Sequence, residues 1–375
     1  MVIVTPLWTY KQPTEIHFGL GVRRALPDLV CRLGRRPIFV ADRGMMPHAN
    51  AREVLASLGP EAQAFSDIDP NPTIHSVDAL ASQIRQQDRD VVVALGGGSS
   101  LDCAKAACAI ALQGGTARRY HSEGLALDGC RLPLVAIPTT AGTGSEVTPI
   151  AVLDDPEKQR KAPLVHDSLF PTIAVIDPEL SVSMPPFVTA CTGLDALAHA
   201  IEGYWSKNHQ PICDALACEA AALVFRHLVS AFTAPNDLEA REGMSLAALM
   251  GGMAFQLPKN AAVHACSFPL SSRYHMPHGA ACAMTLDAFI RFNAETLGKR
   301  GVRLARAAGY GDMLALAEAV LQLKQSVGLP SHLREVGVCE SDLDSLVEAS
   351  FHPLMNNNPR SVTPQELRAL YESIL

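Results

Sequence analysis

DVVVALGGGSSLDCAKAACAIAL (90–112) carries the strongest architectural signal in the chain. Residues 91–95 form a short, unbroken apolar run, the pattern of a strand buried on both faces. Gly96, Gly97 and Gly98 stop it, and SLDCAKAACAIAL (100–112) continues as a helix. On the N-terminal side the same alternation recurs. PIFVAD (37–42) is strand-like, ANAREVLASLG (49–59) is helix-like, QAFSDID (63–69) is strand-like, and HSVDALASQIRQQDRD (75–90) is helical. NPT (71–73) reads as a turn, with Thr73 as a candidate N-cap. On the C-terminal side RLPLVAIPTT (131–140) and IAVIDPEL (173–180) read as strands. Residues 115–130 read as a surface excursion, and 154–171 as a charged turn followed by apolar spacing. Alternating strands and helices predict a parallel sheet with helices on both faces.

After SVSMPP (181–186) the pattern changes to consecutive helical runs. They fall at 187–206, 211–234, 237–256, 277–293, 297–307, 311–327, 340–350 and 364–374. The expected organisation is therefore α/β plus all-α, with domains at 1–186 and 187–375. A cleft between two such domains is a common place for a small-molecule site. No internal repeat stands out.

The bulk numbers agree. A chain of 375 residues and 40.0 kDa is too long for one ordinary core. Hydrophobic residues make up 48%, which argues against disorder. A formal charge of -7, with no long run of either sign, leaves no footprint for nucleic acid or an anionic membrane. Ten irregularly spaced cysteines read as reduced thiols rather than a disulfide scaffold. The N-terminal MVIVTPLWTYKQPTEIHFG lacks the pattern of a secretory leader, and no apolar stretch is expected to span a membrane. A cytoplasmic location is the expectation.

Two loops carry nucleotide-binding chemistry. GGGSS (96–100) lets a backbone approach a phosphate, and the following helix offers free N–H groups. It is not GxGxxG, and alone it reads equally well as a tight strand–helix turn. PTTAGTGSE (138–146) supplies small residues and hydroxyls after the next strand, so both loops fall at the carboxyl edge of the sheet. Asp42 ends PIFVAD and fits a ribose-binding carboxylate, which would favour NAD over NADP; it also fits a turn residue.

A metal site is the second signal. Asp195 and His199 are four apart in TGLDALAHAIEGYW, on one helical face. His264 and His278 sit in AVHACSFPLSSRYHMPHGAACAM, read as a ligand loop running into a helix. One carboxylate and three imidazoles can hold a divalent ion if the fold brings the segments together. With thirteen histidines in the chain, an Asp-x-x-x-His pair also reads as a surface pair.

VALGGGSSLDCAK, AIPTTAGTGSEVTP, TGLDALAHAIE and the segment around PHG (277–279) occur together and in order. With them the chain resembles the iron-containing (group III) alcohol dehydrogenases along nearly its whole length. The resemblance implies a Rossmann-like parallel-sheet N-terminal domain followed by an all-helical C-terminal domain, the dehydroquinate synthase-like arrangement. It implies that Asp195, His199, His264 and His278 hold the metal. It assigns Gly96, Gly97, Gly98 and Ser99 to the pyrophosphate, Asp102 to the cofactor with them, and Thr139, Thr140 and Thr143 to its nicotinamide half. Asp42 falls at the ribose-discriminating position. Fe(II) is the expected ion, and Zn(II) suits the same donors almost as well. A homodimer or larger homo-oligomer is implied.

One departure stands out. Members of the family often carry a histidine four residues after the first ligand of this loop; here that position is Phe268. His275 could substitute as the catalytic proton-transfer residue, and a surface or capping role fits it at least as well. Cys266 reads as a small packing residue. YWSKNHQP (204–211) and the aromatic at 268 resemble the hydroxyethylphosphonate dehydrogenase (phosphonoacetaldehyde reductase) branch. A phosphonate calls for cations or N–H donors. Lys161, His166, Lys259 and Arg273 are the candidates, each of which reads more readily as a surface charge.

The expected function is reversible hydride transfer between NAD(H) and a small alcohol or aldehyde, with the metal polarising the carbonyl. The alternatives are a dehydroquinate synthase-like or glycerol dehydrogenase-like enzyme on the same fold, or a non-enzymatic NAD- or metal-binding module.

Overall fold

β4 (Val91–Gly96) lies inside a parallel sheet, and its residues alternate between two buried faces. Val92 and Ala94 join one apolar cluster with Leu80 and Ala104. Val91, Val93 and Leu95 join another with Leu26, Leu29 and Val54. Burial on both sides is why the strand reads as an apolar run rather than an alternation. The computed structural model describes residues 7–158 and 160–375, and all counts below refer to these. The N-terminal run read as lacking a leader begins in residues 1–6, outside the described residues.

In chain order the first elements are β1 (Glu15–Phe18), α1 (Leu26–Cys31), β2 (Pro37–Val40), α2 (Ala49–Ser57), β3 (Gln63–Phe65) and α3 (Ile74–Gln86). After β4 come α4 (Gly98–Gln113), α5 (Ala117–His121), β5 (Leu134–Pro138), β6 (Ile150–Asp155), β7 (Arg160–Val165) and β8 (Ile173–Ile176). Six strands form one parallel sheet in the order β1-β8-β5-β4-β2-β3. The chain leaves β2 toward one edge and β4 toward the other, so the loops after β2 and β4 diverge. That divergence is where open α/β sheets bind ligands. Thr73 caps α3, its Oγ1 accepting from the Ser76 N–H at 3.2 Å.

The helical region holds α6 (Pro186–Trp205), α7 (Pro211–Thr233), α8 (Leu238–Phe255) and α9 (Ala262–Tyr274). α10 (His278–Ala307), α11 (Met313–Ser326), α12 (Leu343–Ser350) and α13 (Pro364–Ser373) follow. By contacts the chain forms two compact units. One holds residues 13–184 and 235–245, and the other 7–12, 185–234 and 246–375. Residues 7–12 belong with the helices because Gln210 Nε2 donates to Thr9 O and Gln256 Nε2 to Lys11 O.

Several elements differ from the sequence expectation: α1 was not foreseen, and the stretch 115–130 read as a surface excursion holds α5, with Ala117, Tyr120 and His121 buried. β1 was not foreseen: it is an edge strand with a single partner, β8, and EIHF is only partly buried. The charged turn at 154–171 is an antiparallel hairpin, pairing Asp154 with Lys161. The ligand loop is a helix, α9, despite Pro269 inside it. Its first residues are small and buried, so packing holds a helix that propensity argues against. The runs at 277–293 and 297–307 form one element with a kink, where Gly298 takes φ 49° and ψ -124°.

One helix bears on the membrane expectation. α7 is 23 residues and apolar enough to cross a membrane by length and composition. Its buried residues Cys213, Ala217, Ala220, Val224 and Leu228 recur at helical spacing, while Glu219 and Arg226 are exposed. The apolarity therefore belongs to a face packed on α6.

Candidate metal centre and nucleotide loops

α6 is buried almost throughout, and one face of it carries Asp195, His199 and Glu202 at successive turns. α9 contributes His264, and α10 begins with His278. The three helices converge on one carboxylate oxygen. Asp195 Oδ1 lies 3.8 Å from His264 Nε2, 3.7 Å from His278 Nε2 and 4.0 Å from His199 Nε2. Donors on a tetrahedral Zn(II)-sized ion are about 3.4 Å apart. The four residues named from the sequence are thus brought together. The Asp195, His199 and His264 side chains are buried, and that of His278 is 41% exposed.

The donor chemistry fits a divalent cation. Among the described residues, Asp195 Oδ1 and His264 Nε2 are buried without a hydrogen-bond partner. Such atoms cost about 1–3 kcal/mol each when left unsatisfied, and one cation between them satisfies both. Fully buried Glu202 accepts from the Val263 N–H at 2.7 Å and bonds His264 Nδ1 at 2.5 Å. That contact leaves the Nε2 lone pair of His264 to face Asp195, as in a carboxylate–histidine–metal arrangement. Burial works against a charged His264, yet the neighbouring Cys282 and Glu202 hold its proton affinity well above the usual histidine range, so a proton leaves Nε2 when an ion binds there.

Sequence reading missed Glu202 and Cys282. Both were within reach of the rule applied to Asp195 and His199: Glu202 is three residues after His199, and Cys282 is four after His278 on α10. Cys282 Sγ lies 3.8 Å from His278 Nε2. Burial pushes its thiol above the usual range, with His264 opposing. Glu202→Gln is expected to weaken metal binding by about 10–100-fold, because the amide is a weaker acceptor for the His264 ring. Titration of apo-protein with Zn(II) checks this; unchanged affinity would remove Glu202 from the centre.

His275 is exposed and takes φ 55°, ψ 25°, ending α9 through its N–H to Leu270 O. That capping geometry accounts for its place in the linker. Phe268 packs edge-on against His352, with ring centroids 4.9 Å apart. The buried Cys266 thiol lies beside Tyr371 and Ser350, and burial pushes it up to about 12.

In the sheet unit, Gly96 takes φ +152°, and a Cβ there would meet Ser100 Oγ at 2.6 Å. A Cβ on Gly97 would touch Thr140, and one on Gly98 would press Thr143 at 3.1 Å. Thr139 N–H donates to Gly96 O at 3.0 Å. The two loops foreseen as phosphate- and ribose-binding therefore lie against each other, with α4 starting at Gly98 and no side chain capping it. Ser99 Oγ donates to Pro70 O. Asp42 accepts from the Gly44 and Met45 N–H groups and from Ser100 Oγ. It shapes the turn after β2 and stands beside Gly96.

Asp102 is committed elsewhere. Its Oδ1 accepts from Ser145 Oγ at 2.5 Å and its Oδ2 from Val152 N–H at 2.9 Å. Buried Lys105 lies 3.2 Å from the same carboxylate and donates to Ser145 O and Thr148 O. Together they brace the 145–148 loop. Burial pushes neighbouring Glu146 up to about 7, against Lys105.

The candidate anion contacts each have a local structural role. Lys161 Nζ bonds Asn71 Oδ1 at 2.7 Å, and His166 caps a short turn through Ser168. Arg273 donates to Ser345, and Lys259 takes a positive φ in the turn after α8. YWSKNHQP is tied to 356–357 through Lys207 and Asn208.

Comparison with known proteins matches these features. A family described as iron-containing alcohol dehydrogenase matches residues 13–178, and its Fe-containing C-terminal part matches residues 189–375. The chain is 35% identical to 1-propanol dehydrogenase PduQ of Salmonella typhimurium, covering 98% of this chain and 100% of that protein. It is 35% identical to lactaldehyde reductase of Escherichia coli, covering 95% and 96%. The crystal structure of sulfoacetaldehyde reductase from Bifidobacterium kashiwanohense in complex with NAD+ superposes with a TM-score of 0.96. It shares 41% identity and covers 99% of both chains.

Proposed function

Because the chain belongs to the iron-containing alcohol dehydrogenase family, we propose that it interconverts a short, anionic aldehyde and its alcohol, using NAD(H) and a divalent metal. The metal donors in this reading are Asp195, His199, His264 and His278. The observation that carries it is the buried convergence of Asp195 Oδ1 with His264 Nε2 and His278 Nε2, within 3.8 Å.

When bound, the ion polarises the carbonyl oxygen and the nicotinamide supplies the hydride. The chain's residues do the rest. Glu202 fixes the tautomer of His264 and raises its basicity. The burial of Asp195 and His264 keeps water from competing for their donor atoms. Gly96, Gly97 and Gly98 let the backbone approach a pyrophosphate, and the uncapped N-terminus of α4 offers N–H groups to it. Thr139, Thr140 and Thr143 stand beside those glycines as partners for the rest of the cofactor. The Asp42 carboxylate disfavours a 2′-phosphate there, which supports NAD over NADP.

An anionic substrate is supported by the likeness to the sulfoacetaldehyde reductase and by the phosphonate-branch features of 204–211 and Phe268. A screen with Fe(II)- or Zn(II)-loaded protein tests it. NADH or NADPH absorbance is followed with sulfoacetaldehyde, phosphonoacetaldehyde and propanal. The expected result is stoichiometric NADH oxidation, faster on a charged aldehyde and weak with NADPH. Turnover of propanal alone would reject the anionic substrate and leave the dehydrogenase; no NADH oxidation with any aldehyde would overturn the reading.

A further inference from the structure

Asp195, His264, His278 and Cys282 each place one donor atom so that all four lie within 4.8 Å of one another. We propose that Cys282 is a thiolate donor of this metal centre, alongside Asp195, His264 and His278, and that it biases the site toward Zn(II) over Fe(II). The inference rests on the metal reading above and adds a ligand to it.

Three observations carry it. Cys282 sits one turn after His278 on α10, so the two side chains share a face. Its Sγ is 3.8 Å from His278 Nε2. Bonds of about 2.3 Å to sulfur and 2.0–2.1 Å to nitrogen put those atoms about 3.6 Å apart on a tetrahedral ion. Finally, polar donor atoms lie close to the buried thiol. Cys103 and Cys108 are buried within the apolar cluster of the sheet unit. Cys282 instead meets two imidazoles and a carboxylate, two of whose atoms have no hydrogen-bond partner among the described residues. A hydrogen bond from the thiol accounts for its contact with His278 in the metal-free chain, whereas a shared ion accounts for the convergence of all four donor atoms.

The consequence is a choice of ion. Three imidazoles and a carboxylate accept Fe(II) and Zn(II) almost equally, but a thiolate is softer and selects zinc. Coordination releases the thiol proton to solvent. With His199 Nε2, 4.0 Å from Asp195 Oδ1, as the remaining donor, the ion would be five-coordinate rather than tetrahedral.

The test uses the full chain loaded with Co(II), read by its absorption spectrum. The expected wild-type spectrum has visible ligand-field bands and a near-ultraviolet sulfur-to-cobalt charge-transfer band. Cys282→Ala keeps the first and loses the second, while Cys266→Ala, a buried thiol outside the donor group, keeps both. X-ray absorption of the zinc form is expected to show one sulfur at about 2.3 Å. In competition dialysis the preference for Zn(II) over Fe(II) falls by about tenfold or more in Cys282→Ala. Wild-type protein with ligand-field bands but no sulfur band overturns the Cys282 assignment and leaves the metal reading standing. Wild-type protein that takes up no Co(II) overturns both. A sulfur band that survives in Cys282→Ala assigns it to another thiol and overturns the proposal.

Discussion

Asp195→Ala is expected to abolish stoichiometric metal binding and to lower turnover by roughly a thousandfold. Lewis-acid stabilisation is worth several kcal/mol, and each 1.36 kcal/mol is about tenfold in rate. Asp195 matters most because its Oδ1 is the atom that all three imidazoles approach. The fold should survive. In the metal-free chain Oδ1 is buried without a hydrogen-bond partner, so alanine removes a cost of about 1–3 kcal/mol that offsets the loss of its pairing with the imidazoles. Apo Asp195→Ala should therefore melt close to apo wild type, while added Zn(II) raises the melting temperature of wild type only. His264→Ala separates the two effects. It also loses metal, but it leaves the fully buried Glu202 without its imidazole partner, so its apo form should be destabilised. Metal analysis, melting curves with and without Zn(II), and kcat decide the matter. Full metal occupancy in Asp195→Ala would end the metal mechanism.

The sheet was legible where strands are buried on both faces. β4 reads plainly because residues 91–95 all meet apolar neighbours. β1 did not, because an edge strand buries little and EIHF carries no strong period. α9 was illegible as a helix for a different reason. Pro269 contradicts local propensity, and only the packing of Ala262–Cys266 restores the helix. That is tertiary context overriding a local signal, which a single chain does not display.

The site divides the same way. Asp195 and His199 could be paired from spacing alone, and so could Glu202 and Cys282. What spacing cannot supply is convergence: Asp195 and His264 are 69 positions apart, and only the packing of α6, α9 and α10 brings their atoms to 3.8 Å. The resemblance to a family supplied that step. Asp102 shows the converse limit. It sits in a recognisable motif, yet its oxygens are committed to Ser145 and Val152. A motif marks a neighbourhood, and hydrogen bonds decide what each member does in it.

Gly279→Ala is expected to damage both the fold and the metal centre, although the substitution adds one methyl group. A Cβ at Gly279 would lie 2.0 Å from Cys191 O, 2.7 Å from Cys191 C and 3.1 Å from Asp195 Cβ. The obstructing atoms are mostly α6 backbone, which cannot rotate away, so α10 must move. Overpacking costs about 1–3 kcal/mol and occasionally more, and a backbone obstacle places this case at the upper end. At roughly 2–4 °C per kcal/mol for a domain of this size, the melting temperature should fall by roughly 10 °C. Moving α10 also carries His278 and Cys282 away from Asp195, so metal affinity should fall together with stability. Gly311→Ala is the control: a Cβ there meets nothing within 4 Å, and stability should change by only about 0.5 kcal/mol. If Gly279→Ala melts with wild type and retains its metal, the close contact of α6 and α10 does not set the spacing of the donors. If it loses both while Gly311→Ala loses neither, the glycine of PHG is explained by helix approach alone, with no contact to metal or substrate required.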